Sequence, residues 1–302
     1  MEEQYDFQII ANLLSGKGSA RQVLENLKKF LDKNNQTLRI TAIEIPTPIS
    51  QIPKDGRIKI KKGVICLGGD GTVSETVGYV LNNKIEVPIA LIPTGTANII
   101  ASTLELTHGS DNFDFLLENK TKKIDIGLAE YKDEKDYFIL GLGLGFEEKF
   151  LKITKEKLKS KFGIFSYIFS ALGELLSLRK IPLEIKGENG QVISAAVCLL
   201  AVLNLQPRIL RIFPFFKEKI IGSDGIFDLY YVEYKNYFYA FLGTLFFHIF
   251  GKKNFGLVKS ISGKVFEIKS PVQVGTQIDG ELRSILPVKI SLHSQSCLFL
   301  IS

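Results

Sequence analysis

The segment CLGGDGTVSETVGYV, from Cys66 to Val80, places one aspartate among three glycines. The apolar residues before it predict a buried strand, and the glycines allow a tight turn and a close backbone approach to a ligand. Thr72 and Glu75 have the T-x-x-E spacing of a capping box, so we expect Thr72 to be the N-cap of a following helix. The amides and the dipole of such a helix end favour a phosphate group.

Asp70 is the unusual residue of this loop, because a carboxylate beside a phosphate repels it unless a cation lies between them. A Mg²⁺ ion between Asp70 and the phosphates, directly or through water, removes this repulsion. The alternative is a turn aspartate that accepts local backbone amides. The residues of this loop alone leave both roles open.

Two further loops have the same character. PTGTAN, at Pro93–Asn98, follows an apolar strand and opens a predicted helix, and NLLSGKGS does so after the first strand, from Asn12. The carboxyl ends of parallel strands meet at one edge of a sheet, where such folds bind ligands. Three loops of this kind favour a phosphate site that contains Asp70.

Two familiar glycine motifs do not fit the sequence. In the first loop, Ala11 stands where a P-loop has its first glycine, and Gly18 follows the lysine. GLGLGF, at Gly141–Phe146, lacks the last glycine of a dinucleotide fingerprint. Its alternative is a glycine-rich buried strand packed against another backbone, which we favour.

The elements around the loops predict two domains. Over residues 1–125, short apolar strands alternate with helical segments, which indicates a parallel sheet covered by helices. Over residues 126–302, strands with period-two alternation dominate, as in an antiparallel β-sandwich or barrel, with helical insertions near 147–178 and 236–250. For the last strand, packing back on the first domain is left open.

Composition narrows the class of protein. With 45% apolar and 23% charged residues, the chain can form sizeable cores, and a net charge of +6 permits a membrane surface or a nucleotide as partner without demanding nucleic acid. Cys66, Cys198 and Cys297 lie in apolar runs and are expected as buried thiols in a reducing cytosol. The acidic start of the sequence shows no signal peptide, so we expect a cytoplasmic protein without a nucleic-acid partner.

Four motifs together resemble the catalytic region shared by bacterial diacylglycerol kinases, related bacterial lipid kinases, sphingosine kinases and ceramide kinases. They are GGDGT, PTGTAN, SDGIFDL at Ser223–Leu229 and IDGEL at Ile278–Leu282, so the resemblance spans almost the whole chain. It implies an α/β nucleotide domain and a C-terminal β-sandwich domain with an ATP cleft between them. The implied reaction transfers the γ-phosphate of ATP to a lipid hydroxyl with Mg²⁺. GGDGT alone is shared with NAD kinases, and the late DGE favours the lipid kinases.

The resemblance also implies which residues hold the nucleotide and the metal. A structural Mg²⁺ is implied at Asp224, with the backbone carbonyls of Ile221 and Ile226, and a water network would link this ion to Asp70. The implied nucleotide contacts are Asn12, Leu13, Leu14, Ser15 and Gly16 in the first loop, Thr47 after the second strand, Gly68, Gly69, Asp70, Gly71, Thr72, Val73, Ser74 and Glu75 around GGDGT, and Thr96 with Asn98 in PTGTAN.

The DGE motif supplies the acid–base group of the implied reaction. Transfer of a phosphoryl group to an alcohol needs a group that accepts the hydroxyl proton. Either Glu281 or Asp279 fits, and we rank Glu281 slightly above Asp279 as the base. The alternative for Asp279 and Gly280 is a hairpin turn.

Two positions depart from the family's pattern. Leu13 follows Asn12 where the family has a proline, and Ile99 takes the place of the aspartate that diacylglycerol kinases usually carry after the asparagine of the second loop. Sphingosine kinases also lack that aspartate, so activity is not excluded, but diacylglycerol becomes a weaker candidate for the acceptor. An NAD kinase-like soluble enzyme and a catalytically impaired nucleotide- or lipid-binding protein therefore stay as alternatives.

A lipid acceptor requires a surface that faces a membrane, and two segments have a suitable composition. Residues 149–176 begin basic and become apolar, and residues 234–253 are an aromatic run flanked by lysines. Such segments can lie in a bilayer interface and attract anionic lipids, or they can be amphipathic helices that cover the β-domain. We expect peripheral contact with the inner membrane face, and a homodimer is left open.

Overall fold

The computed structural model describes residues 3–15, 19–43, 58–106, 112–145, 178–206, 222–250, 258–293 and 296–301. The chain divides into two compact units, of which one comprises Met1–Ile124 with Gln295–Ser302 and the other Asp125–Ser294. The boundary expected from the sequence was after residue 125. The helix expected near 147–178 lies almost wholly outside the described residues.

The first unit is a six-stranded sheet with helices. Its strands are β1 (Glu3–Asn12), β2 (Leu38–Ile43), β3 (Ile58–Gly68), β4 (Ile89–Pro93), β5 (Thr121–Ile124) and, from the end of the chain, β17 (Cys297–Leu300). Their order is β2-β1-β3-β4-β17-β5, and all neighbours are parallel except β17 and β5. The helices are α1 (Ser19–Lys33), α2 (Asp70–Asn82) and α3 (Ile99–Leu104), with a 3-10 turn at Asp114–Leu116.

The hydrophobic pattern explains how α1 covers this sheet. Val23, Leu27 and Leu31 recur at helical spacing, and all three are buried in one cluster with the apolar residues of β1 and β3. Full burial of a leucine side chain contributes about 1.5–3 kcal/mol. This packing fixes the direction of β1, and therefore the position of the loop that follows it.

The second unit is an antiparallel sheet, in which eleven strands are found among the described residues. They are β6 (Gly127–Glu130), β7 (Lys135–Phe138), β8 (Gly141–Leu144), β9 (Ile181–Gly187), β10 (Val192–Leu203), β11 (Phe227–Glu233), β12 (Val258–Gly263), β13 (Val265–Lys269), β14 (Gly275–Ile278), β15 (Glu281–Ile285) and β16 (Val288–Leu292). The order is β15-β14-β8-β10-β9-β13-β16-β6-β7, and β11 and β12 continue from β10. The helix α4 (Tyr237–Phe250) follows β11.

These two units confirm the fold class predicted from the sequence, a parallel-sheet α/β domain followed by an antiparallel β domain. The buried-strand alternative for GLGLGF is also confirmed: β8 is wholly buried, and a Cβ added at Gly141 would lie 2.4 Å from the carbonyl oxygen of Val202. In the described part of the chain, no helix combines the length and the apolar character needed to cross a bilayer.

Two local predictions are wrong. The capping box at Thr72 does not form, because α2 begins at Asp70 with the extended residue Gly69 (φ −98°, ψ −172°) as N-cap. Thr72 lies in the first turn, packed so tightly on Gly68 that a Cβ there would lie 2.4 Å from the threonine side chain. The run KIDIGLAEY, at Lys123–Tyr131, predicts one continuous strand, but it is split, because β5 belongs to the first sheet and β6 to the second.

Candidate functional site

Asn12 organises the first loop where β1 ends. Its Oδ1 accepts the backbone N–H of Leu14 at 3.0 Å, and its carbonyl oxygen accepts the Ser15 hydroxyl at 2.9 Å. The Asn12 side chain also donates to Thr72 Oγ1 at 3.4 Å, and the hydroxyls of Ser15 and Thr94 lie 2.5 Å apart. Side-chain hydrogen bonds thus join the first loop to α2 and to the end of β4, as the three-loop prediction requires.

The other two loops meet backbone to backbone. A Cβ added at Gly95 would lie 2.6 Å from the Cα of Gly69, closer than real Cβ contacts come. The Thr94 N–H donates to the Gly68 carbonyl oxygen at 2.9 Å, which continues the β3–β4 pairing into the loops. Glycine is therefore required at Gly95 by close approach, a Cβ at Gly69 would lie a tight 3.2 Å from the Cα of Gly95, and the two loops form one edge of the sheet.

The first turn of α2 offers its backbone amides at this edge. The first intrahelical bond is donated by Val73 N–H to the Gly69 carbonyl oxygen at 3.1 Å. By helix geometry, the amides of Asp70, Gly71 and Thr72 have no partner within the helix, and such a helix end binds anions. Ser74 and Glu75 follow in the next positions and are half-buried.

Asp70 connects the two helices that start at these loops. Its Oδ1 accepts the backbone N–H of Ile100 at 2.8 Å. Ile100 is the second residue of α3, and the N-cap residue of α3, Asn98, makes no side-chain capping bond. Asp70 therefore accepts an amide of the first turn of α3, which is the role that an N-cap side chain normally has. This amide belongs to another loop rather than to the turn of Asp70 itself, so the bond differs from the local amide binding that the sequence left as an alternative to Mg²⁺ contact.

Asn98 has a left-handed backbone (φ 48°, ψ 45°) and a buried side chain oxygen. Its Nδ2 donates to the Gly95 carbonyl oxygen at 2.9 Å, whereas its Oδ1 is buried without a hydrogen-bond partner. Buried acceptors are normally satisfied, so this oxygen is an exception. It belongs to a narrow crevice that Gly69 and Asp70 also line. Thr96 of the same loop is exposed.

Cys66 lies behind this crevice but cannot take part in covalent chemistry. The pKa of its thiol is raised to about 12, mainly by burial, with a lowering by the Thr76 hydroxyl and a smaller raising by the Asp70 carboxylate. The thiolate is the nucleophilic form of cysteine, and it is absent near neutral pH at such a pKa. The chemistry of this edge therefore rests on amides, hydroxyls and Asp70.

In the second unit, Asp279 and Gly280 form the two-residue turn of the β14–β15 hairpin, with φ values of 48° and 85°. The turn geometry proposed as the alternative is thus present. The Asp279 carboxylate also accepts three consecutive amides from the β7–β8 connection. Oδ2 binds Ile139 N–H at 2.9 Å, and Oδ1 binds Leu140 N–H at 2.8 Å and Gly141 N–H at 3.0 Å.

Glu281 has a different kind of partner. Its Oε2 lies 3.2 Å from Nη2 of Arg283, whose Nε lies 3.9 Å from Oδ2 of Asp136. Residues two apart on a strand share a face, so Arg283 could have been found from the sequence as a companion of Glu281. Asp136 is distant in sequence and gave no such signal. The two carboxylates of the DGE motif are thus held differently, one by backbone amides and one by a guanidinium group.

The Asp224 turn precedes β11. Asp224 is exposed, and its Oδ1 accepts Ile226 N–H at 3.3 Å, while Gly225 N–H donates to Oδ2 of Asp125 at 2.9 Å. The Asp224 carboxylate and the Ile226 carbonyl are hard oxygen donors, which suit Mg²⁺. Among the described residues, no group of three or more Asp, Glu, His or Cys side chains is placed to hold a metal ion. Gly16, Thr47 and Ile221, also predicted for the nucleotide or the metal, lie outside the described residues.

Comparison with known proteins agrees with the motifs. Residues 6–129 match the family model described as the diacylglycerol kinase catalytic domain. A Streptococcus pneumoniae protein named as a proposed lipid kinase is 23% identical over 294 residues, which cover 95% of this chain and 95% of that protein. A diacylglycerol kinase of Staphylococcus haemolyticus is 28% identical over 242 residues, covering 78% of this chain and 70% of that protein.

Solved structures show the same fold. A diacylglycerol kinase from Bacillus anthracis matches with a TM-score of 0.66 at 18% identity, covering 99% of this chain and 97% of that one. An NAD kinase from Archaeoglobus fulgidus in complex with ATP matches with a TM-score of 0.52 at 13% identity, covering 97% and 93%. Residues 6–129 therefore match a kinase catalytic domain, and the whole chain has the fold of these structures. More closely, the chain is similar along most of its length to proteins named as a lipid kinase and as a diacylglycerol kinase.

Proposed function

We propose that this protein is an ATP-dependent kinase that transfers the γ-phosphate of ATP to the hydroxyl group of a lipid. The observation that carries the proposal is the meeting of Gly69 and Gly95 at the first turn of α2. That arrangement presents helix amides where side chains cannot intrude, as a polyphosphate requires. The amides of Gly71 and Thr72 at the start of α2 would bind the phosphates.

Phosphoryl transfer needs neutralisation of the phosphate charge as well as binding. Mg²⁺, when bound with ATP, supplies positive charge to the transferred group. We propose that Asp70 holds this ion directly or through water, which accounts for a carboxylate at an anion-binding helix end. A second Mg²⁺ at Asp224 and the carbonyls of Ile221 and Ile226 would have a structural role.

Glu281 is the better candidate for the base that accepts the proton of the lipid hydroxyl. The Asp279 carboxylate already accepts three amides, and taking up a proton would weaken those bonds. Glu281 is oriented by Arg283 through a single contact at 3.2 Å and holds no backbone bond that protonation would disturb in the way it would at Asp279. Proton transfer would therefore go from the acceptor hydroxyl to Glu281, while Asp279 keeps the hairpin in place.

The start of α4 is our candidate for the surface that meets the bilayer. Phe238 is 70% exposed and Tyr237 46% exposed, and Lys235 Nζ lies 4.8 Å above the ring of Tyr239. Exposed aromatic rings beside a lysine suit the interface of a membrane with anionic lipid. We propose peripheral binding of this segment at the cytoplasmic face of the membrane.

Vesicle sedimentation tests this surface. Phe238→Ser should reduce binding to vesicles that contain anionic phospholipid, and Val192→Ser is the matched control. Val192 is also exposed, at 52%, but stands at the start of β10. Equal binding by wild type and Phe238→Ser would remove α4 from the membrane contact.

The proposed reaction is tested by incubating the purified protein with γ-labelled ATP and Mg²⁺. Separate reactions contain vesicles with diacylglycerol, sphingosine or ceramide, and one contains NAD. Label in a lipid product supports the proposal. Label in NAD alone would favour the second candidate function, that of an NAD kinase. The motivation for this candidate is the fold that the chain shares with the Archaeoglobus enzyme. ATP binding without transfer to any acceptor would favour a non-catalytic protein, with Ile99 as the suspected cause.

A further inference from the structure

Asn204, directly after β10, is fully buried and joins two separate loops. Its Nδ2 donates to the carbonyl oxygen of Asp125 and to that of Ile139, each at 2.8 Å. Its backbone N–H donates to the carbonyl oxygen of Leu140 at 2.9 Å. All of these residues belong to the second unit.

The loop at residues 139–141 is therefore held from two sides. Asn204 binds its carbonyl oxygens, and Asp279 binds its amides through the three hydrogen bonds described above. The N–H of Asp279 also donates to the Gly141 carbonyl oxygen at 3.0 Å. Movement of this loop would move the Asp279 turn, and Glu281 begins the strand that leaves the turn.

The second connection of Asn204 leads to the Asp224 turn. Asp125, whose carbonyl Asn204 binds, donates its own N–H to the Gly222 carbonyl oxygen at 2.6 Å. Its Oδ2 accepts the N–H of Gly225 at 2.9 Å, so Asp125 holds the Asp224 turn at two points. A continuous chain of hydrogen bonds thus runs from Asp224's turn through Asp125, Asn204 and residue 139 to Asp279.

The chemistry of this position requires a carboxamide. Only Asn and Gln offer two donors on one uncharged nitrogen, and both donors of Asn204 are used. The other side-chain atom, Oδ1, is buried without a hydrogen-bond partner. An unsatisfied buried acceptor is unfavourable for folding. The presence of an asparagine at position 204 is therefore explained by the two loops that its Nδ2 hydrogen bonds hold.

We infer that Asn204 is a positioning residue that ties the Asp279 turn to the Asp224 turn and so fixes the start of the strand that carries Glu281. Its effect on catalysis rests on the proposed kinase function, whereas its effect on the loops does not. An experiment on the loops that needs no activity therefore tests the inference separately from the function.

Hydrogen–deuterium exchange of the full chain provides that experiment. In Asn204→Ser, which lacks the second donor and the reach of the amide, exchange of the amides at 139–141 and 225 should rise about 10-fold or more, as expected when local opening becomes easier. The control is Cys198→Ala, a buried substitution on β10 itself, whose thiol lies 3.6 Å from the Val232 carbonyl oxygen and from the Thr244 hydroxyl. Its exchange at 139–141 and 225 should stay within about threefold of wild type.

Asp125→Ala removes the side-chain bond to Gly225 and keeps the backbone bond to Asn204, so it tests the two connections one at a time. It is also the variant to use if Asn204→Ser does not fold. Its backbone carbonyl remains available to Asn204, so exchange should rise at residue 225 and stay unchanged at 139–141. Unchanged exchange at both loops in Asn204→Ser, or equal increases in Cys198→Ala, would overturn the inference.

Kinetics test the catalytic part. We expect Asn204→Ser to lower kcat by about 10–100-fold with KM for ATP within threefold, because misplacement of a reacting group affects the transition state more than nucleotide binding. Loosened loops with an unchanged kcat would overturn the positioning role. If wild type phosphorylates no lipid, the proposed function fails, and exchange alone decides the inference.

Discussion

Asp70 in the first unit and Asp279 in the second both accept backbone amides from a neighbouring loop, but they do so to different extents. Asp70 binds the Ile100 amide at 2.8 Å, whereas Asp279 binds three consecutive amides at 2.8–3.0 Å. Hydrogen bonds to a charged group contribute about 1.5–3 kcal/mol each, so the second arrangement is much harder to give up. Similar carboxylates in glycine turns can therefore serve different ends, and we propose turnover for Asp70 and loop geometry for Asp279.

The largest expected effect concerns the carboxylate beside Asp279. If Asp279 is a clamp, Glu281 is the base, and Glu281→Gln should lower kcat by about 10³-fold, within the usual range for general-base catalysis. KM for ATP should change little, because the nucleotide-binding loops are untouched. Steady-state kinetics on the accepted lipid measure both constants. A nearly active Glu281→Gln would return the role of base to Asp279.

Asp70→Asn should lower kcat by at least about 100-fold, since charge stabilisation through a bound metal ion is worth several kcal/mol. The amide oxygen of asparagine can still accept the Ile100 N–H, so the free energy of unfolding should fall by only about 1 kcal/mol, the difference between a charged and a neutral hydrogen bond. Kinetics and chemical denaturation of the same preparation test the two halves. A full loss of folding stability with normal turnover would show that Asp70 serves the fold rather than the reaction.

Asp279→Asn should lower the free energy of unfolding much more than Asp70→Asn does. Asparagine tolerates the left-handed backbone and keeps an acceptor for Leu140 and Gly141, but its NH₂ group would face the Ile139 N–H. We expect the free energy of unfolding to fall by about 2–3 kcal/mol from the lost charge-assisted bonds. Denaturant titration measures this, and a change below about 1 kcal/mol would show that the three amides do not depend on the carboxylate.

The sequence predicted the first unit better than the details of the second, for a physical reason. Strand, glycine loop and helix follow one another along the chain around Asp70, so local periodicity and turn chemistry indicate them. Asp279 accepts amides from residues that lie 138 to 140 positions earlier in the sequence. Asn204 donates to the carbonyl oxygen of Asp125, which lies 79 positions earlier. Only tertiary packing brings such partners together. Even locally, the N-cap of α2 was misplaced, because the packing of Thr72 on Gly68 overrides the capping-box pattern.

Asp6 provides a reference for Asp70 and Asp279, and its substitution has the smallest expected effect. It lies in β1, where its Oδ2 accepts the N–H of Thr37 at 2.9 Å and the Thr37 hydroxyl at 2.8 Å. The backbone bond from Thr37 is the main cause that lowers the pKa of this carboxyl, against a raising by burial, and the Thr37 hydroxyl and Lys62 lower it further. A carboxyl whose pKa is lower in the folded state stabilises the fold above its unfolded pKa, and this contribution is lost as the pH falls through the folded pKa.

Asp6→Asn should therefore lower the free energy of unfolding by about 1 kcal/mol at pH 7, the usual size for such a hydrogen bond. The difference between wild type and variant should shrink below about pH 4, where the unfolded carboxyl becomes protonated, and vanish below the folded pKa. Denaturant titrations at pH 7, 5 and 3 measure it, with kcat expected to stay at the wild-type value. A difference that persists at low pH would mean that packing, rather than the charge on amide-bound carboxylates, accounts for the effect. The electrostatic explanation of the stronger Asp279 clamp would then weaken as well.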